Sequence, residues 1–186
     1  MTFKNSKLMR FLFVFLAAST LFWTGCQKDD DNPPTDEPEL ITTVILHFTA
    51  PDGGTSSFKF SDIDGAGGNP PVAQDITLSA NTAYQLNIDF QDESNTNEVV
   101  DITTEVKQEA EAHLVCFAAS GVLDIPVTLD TDANGAPLGL ETELTTGQAG
   151  NATLTVVLKH EPDKGAANAC NTGETDVQAE FEVRVQ

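Results

Sequence analysis

Positive charge is scarce in this sequence. Nine Lys and Arg stand against 29 Asp and Glu in 186 residues, a formal net charge of −20. So acidic a chain disfavours nucleic acid and anionic membrane surfaces as partners, and suits solubility, a cationic partner or divalent ions. Long apolar runs are lacking as well. The most apolar stretch, Phe11–Trp23, covers 13 residues, short of the ~20 that a membrane-spanning helix needs. There is no G-x-S-x-G elbow, and neither Cys116 nor Cys170 has the basic neighbours that favour a thiolate. Carboxylates are so abundant that a pair at glycosidase separation can arise by chance, so their number alone names no active site. These absences point away from an enzyme.

What is present at the N-terminus is more specific. Lys4, Lys7 and Arg10 precede the apolar stretch, and Thr24 and Gly25 follow it, directly before Cys26. A basic region, a short apolar region and then small residues is the layout of a secretory signal peptide. The junction resembles a lipobox, with Trp23 in place of the usual Leu. The resemblance implies that the Cys26 thiol is diacylated, carries palmitate-type chains and becomes the new N-terminus. Lys28, Asp29, Asp30 and Asp31 come next. They resemble the export signal of Bacteroidetes-type lipoproteins, which implies display on the outer leaflet of the outer membrane. Residues 27–39 also read as a solvated acidic, Pro-rich spacer. The expected organisation is a signal peptide over 1–25, a lipidated Cys and spacer over 26–39, and one domain over 40–186. Removing residues 1–25 takes away three basic residues and no acid, so the remaining 161 residues carry six basic against 29 acidic groups, a charge of −23.

Period-2 alternation dominates the domain, and it predicts strands with one buried and one wet face. The alternating sets are Val44 to Phe48, Phe58 and Phe60, Tyr84 to Phe90, Leu123 to Leu129, Leu154 to Leu158 and Val177 to Val185. Weaker strands read at Ile76–Ala80, Leu114–Ala118 and Leu140–Thr145. About nine short strands separated by Gly-, Asn- and Pro-rich turns suggest an all-β, immunoglobulin-like antiparallel sandwich. One helix breaks the pattern, with Asp101 as cap and Ile102, Val106 and Ala110 on its buried face.

Three constellations offer chemistry. Asp130, Asp132 and Asn134 before Gly135, with Glu141 six residues after the glycine, fit the calcium-loop spacing D-x-[DN]-x-[DN]-G-x5-E. The flanks read as strands rather than EF-hand helices, so the same residues also fit a hairpin turn. Asp62 and Asp64 form a second acidic turn with two carboxylates at ligand spacing. His113 and His160 would offer a transition-metal site with Glu109 if the fold brought them together. With Cys26 acylated, Cys116 and Cys170 are left either to form one disulfide or to stay as two buried thiols.

Several segments resemble a family of small Bacteroidetes-type surface lipoproteins of unassigned activity. They are Ile41–Val44, Asp62–Gly68, Thr104–Ala110 leading to His113, Asp130–Leu140, Leu158–Lys164 and Gly173–Asp176. The resemblance brings no catalytic residue. The expected function is a lipid-anchored, non-enzymatic binding or accessory module whose partner is a glycan, a protein or an outer-membrane uptake complex. The alternatives are a calcium- or metal-binding lipoprotein using residues 130–141, and a hydrolase whose carboxylates the sequence does not single out.

Overall fold

Alternation along each strand determines which residues face inward, and two sheets close over them. The computed structural model describes residues 39–186 other than Ala66 and Thr96. In chain order the first elements are β1 (Thr43–Thr49), β2 (Thr55–Ser61), β3 (Val72–Ala73) and β4 (Ile76–Leu78). Then come β5 (Ala83–Asp92), β6 (Val100–Asp101), the helix α1 (Thr103–Gln108) and β7 (His113–Ala119). The chain continues with β8 (Val127–Thr128), β9 (Glu141–Thr145), β10 (Gly150–His160), a 3-10 turn over Ala169–Asn171, and β11 (Glu174–Val185).

One sheet runs β3-β2-β1-β5-β9-β8 with β6 beside β5, and the other runs β4-β11-β10-β7. All strand pairs are antiparallel except β4 with β11. This is the all-β sandwich with one short helix that the alternation predicts. Val44, Leu46 and Phe48 of β1 and Leu86, Ile88 and Phe90 of β5 are buried against Leu154, Val156 and Leu158 of β10. Phe60 on one sheet meets Phe181 on the other edge-to-face, with ring centroids 6.3 Å apart, a geometry that aromatic quadrupoles favour. Among the described residues no helix is long and apolar enough to cross a membrane.

Two local expectations change. Of the set Leu123, Ile125, Val127 and Leu129, only Leu123 is buried; the other three are 56–64% exposed. They run along the outer edge of the larger sheet, where β8 pairs only with β9, so no second sheet covers them. In α1, Ile102 occupies the cap position without a side-chain hydrogen bond. Asp101 instead accepts a hydrogen bond from the Thr104 hydroxyl at 2.6 Å, which lowers the Asp101 pKa.

Cys116 on β7 and Cys170 in the 3-10 turn form a disulfide, with Cα atoms 5.8 Å apart and 54 positions of sequence between them. A loop of that length is worth about 4 kcal/mol on the chain-entropy account. The bond fastens the long β10–β11 connection to the edge strand β7.

Candidate metal centre

β10 is the central element of the site because it pairs with β7 on one side and β11 on the other. Its inward phase, Leu154, Val156, Leu158, continues to His160 at the strand end. Directly across the β7 ladder His160 faces His113, which lies on the same inward phase as Val115. The two imidazoles meet edge-on with centroids 4.9 Å apart. On the β11 side the register slips: Leu158 faces Val177 but Lys159 faces Thr175. Asp176 is therefore the extra residue of a β-bulge, and bulges re-aim side chains. Its carboxylate is fully buried and 3.7–4.0 Å from the histidine nitrogens.

The fourth member arrives from outside the ladders. Glu39, just ahead of β1, places Oε1 3.0 Å from His113 Nε2 and Oε2 3.3 Å from His160 Nδ1. One donor atom from each of Glu39, His113, His160 and Asp176 lies within 4.8 Å of the other three. The four side chains are 0–10% exposed.

Hydrogen bonding shows what these atoms lack. His113 Nδ1 donates to the Glu109 carbonyl at 3.0 Å, so Nε2 is the ring nitrogen turned to the cluster. Glu39 Oε1 is close to that nitrogen but out of hydrogen-bond alignment. Nε2 and both Asp176 oxygens are buried with no hydrogen-bond partner. Such atoms are costly unless something bonds to them. Burial, followed by repulsion from Glu39, pushes the Asp176 pKa up to about 6. Burial also works to raise Glu39, but the electrostatic pull of His113 and hydrogen bonding from the backbone and His160 outweigh it, and the Glu39 pKa falls. A pair of imidazole nitrogens and a pair of carboxylate oxygens around one point is a donor set for a transition metal, not for calcium, which takes six to eight oxygens.

The sequence pointed to His113 and His160 but to the wrong carboxylate. Glu109 contributes its backbone carbonyl as the orienting acceptor behind His113, while Glu39 and Asp176 supply the acids. The phase of His160 on β10 was a readable signal. The bulge that turns Asp176 inward was not, because a bulge breaks the alternation that sequence reading relies on.

The other constellations have different partners. Asp130 accepts from the Gly139 and Leu140 backbone N–H groups at 2.8 and 3.1 Å. Asp132 Oδ1 accepts from the Asn134 and Ala136 N–H groups, both at 2.9 Å, and Oδ2 accepts from the Lys164 ammonium at 3.0 Å. The Lys164 hydrogen bond holds the Asp132 carboxyl below its ordinary pKa. Asn134 and Glu141 point into solvent. Asp130 and Asp132 thus order the hairpin through backbone N–H groups, and Lys164 adds a cation beside Asp132. Asp64 similarly accepts from the Asn69 backbone and side-chain N–H groups within its turn. Cys26 and Lys28 to Asp31 lie outside the described residues.

A hydrogen-bonded Ser57–His47–Asp89 row crosses β2, β1 and β5. The Asp89 carboxylate accepts from His47 Nε2 at 3.0 Å, and His47 Nδ1 accepts from the Ser57 hydroxyl at 2.7 Å. It stands on the open outer face, with the His47 and Asp89 side chains 38% and 44% exposed. Strands pair with β1 on both sides, so its backbone N–H groups are committed to ladders. Comparison with known protein families, curated proteins and solved structures finds no match to this chain.

Gly173 sets the approach of β11 to His160. Its φ is +68°, and a Cβ there would lie 2.2 Å from the His160 carbonyl oxygen. Gly173→Ala is expected to cost about 1–3 kcal/mol in strain and to displace Asp176. Thermal melting of the variant checks this; a melting temperature equal to that of the parent would contradict it.

Proposed function

We propose that this chain is a lipid-anchored, surface-displayed β-sandwich without catalytic activity, which binds a divalent transition metal through Glu39, His113, His160 and Asp176. One observation carries the metal half of this reading: four side chains with convergent N and O donors, of which His113 and Asp176 hold three buried atoms without hydrogen-bond partners. Two buried carboxylates also need positive charge, and a divalent ion supplies both charges at once. The site chemistry favours binding over catalysis, because four protein donors complete a tetrahedral shell and leave no position for a reacting water. The membrane half is supported by the signal-peptide layout ahead of Cys26 and the acidic run after it, both of which resemble those of Bacteroidetes-type lipoproteins.

Zinc titration of the full chain tests the metal reading. At a free zinc concentration about 100 times Kd, stability should rise by about 2.7 kcal/mol, a gain of roughly 5–10 °C in melting temperature for a domain of this size. His113→Gln should lose that gain while keeping a β-rich circular dichroism spectrum. A rise with millimolar calcium and none with zinc would favour the alternative, the 130–141 hairpin, as the ion site. For the anchor, Cys26→Ser should move the chain from the membrane fraction to the soluble one. Retention in the membrane would count against acylation.

A further inference from the structure

The four donors are not held equally. His113 and His160 face each other across a ladder, and Asp176 sits in a bulge between paired residues. The connection that leads from His160 to Asp176 is itself fastened twice. The Cys116–Cys170 disulfide holds one part of it to β7. Lys164 holds another, donating to the Ala110 carbonyl at 2.6 Å and to Asp132 at 3.0 Å. Three ligands are therefore fixed in place by the smaller sheet and its connections, whatever occupies the centre.

Glu39 is different. It precedes β1, the lead strand of the larger sheet, and belongs to no ladder. Ladder-type backbone hydrogen bonding begins only at Thr42, whose N–H donates to Gln91 at 3.1 Å. Leu40, between them, is 58% exposed. The Glu39 side chain reaches the cluster alone, and there it meets the carboxylate of Asp176 in a buried setting. With no cation between them, two such anions repel, and Glu39 is the cheaper of the two to move. With a divalent ion between them, each carboxylate is attracted to the same point.

We infer that the centre takes a zinc-class ion in a closed four-donor shell, and that the ion acts as a clasp fastening residue 39, at the head of the domain, to the ends of β7, β10 and β11. This rests on the metal-binding reading above. The donors already converge to near the ion's scale: one atom from each residue lies within 4.8 Å of the others, against edges of about 3.4 Å for a tetrahedron of radius about 2.1 Å, so an ion would draw the four side chains slightly inward. The donor types fit as well, since imidazole with carboxylate suits zinc and its first-row neighbours. The His113–Glu109 hydrogen bond supplies the outer-shell support that ligating histidines usually have. Departure of Glu39 also opens a route for the ion, on the side where the His160 ring keeps its 10% exposure. Because the ligand set joins the lead-in of one sheet to strand ends of the other, ion binding fixes the position of residue 39.

Isothermal titration with zinc, paired with amide hydrogen exchange on the full chain, tests the clasp. Loss of an outer-shell partner alone weakens a metal site about 10–100-fold, so Glu39→Gln, which removes a ligand charge, should weaken zinc binding by at least about 100-fold. His113 and Asp176 variants should abolish it. In the parent chain, zinc should slow exchange at residues 39–41 by at least about tenfold, the range of local opening equilibria. In Glu39→Gln held at saturating zinc, residues 39–41 should stay fast while the amides at the ends of β10 and β11 are slowed. Unchanged affinity in Glu39→Gln, or parent binding without protection at 39–41, would overturn the clasp while leaving a metal site of other ligands. No zinc binding by the parent chain would overturn the metal reading and the clasp together.

Discussion

The register of β10 is the constraint on which the centre depends. Because β10 pairs residue for residue with β7, His160 is set opposite His113, and the inward phase that buries Leu154, Val156 and Leu158 carries the imidazole into the same layer. A one-residue slip of β10 would turn His160 out to solvent together with the strand's whole apolar face, and leave His113 without its partner. The sandwich core and the donor cluster are thus fixed by one alignment. What stabilises the core also positions the histidines, with no separate device needed. The single irregularity is on the β11 side, where the bulge at Asp176 departs from the alternation and aims one carboxylate at the pair.

Charge then decides what the cluster can hold. Two unit charges about 4 Å apart interact by about 4 kcal/mol at an effective dielectric of about 20, a large share of the 5–15 kcal/mol that separates folded from unfolded chains. Burying Glu39 and Asp176 within 4.8 Å of each other is therefore expensive unless cationic charge joins them. The same chain shows the alternative solution elsewhere: Asp132, nearly buried, is matched by the ammonium of Lys164 and by two backbone N–H groups. No lysine or arginine contacts Asp176 among the described residues. The contrast between these two buried aspartates separates a carboxylate used for folding from one left available for a ligand.

Much of the fold was legible because strand alternation reports burial directly, as in Val177, Ala179, Phe181, Val183 and Val185, all of them buried. The same rule failed for Ile125, Val127 and Leu129, since alternation marks one face of a strand without saying whether a second sheet covers it. The site was half legible. His113 and His160 stood out as rare residue types at strand ends, but their carboxylates did not. Asp176 is one acid among 29, turned inward by a bulge that depends on pairing partners distant in sequence. Glu39 closes a spacer that reads as solvated, and its role appears only when the chain folds back on itself. The 130–141 spacing matches a calcium loop, but the pairing of Asp132 with Lys164, more than twenty residues further along, was not readable from it. Spacing cannot register a partner supplied from another segment.

X-ray absorption at the zinc edge of the zinc-loaded full chain tests the central claim most directly. The account predicts four N and O neighbours at about 2.0–2.1 Å with the outer-shell scattering of two imidazoles. A shell of six oxygens, or no histidine signal, would contradict it.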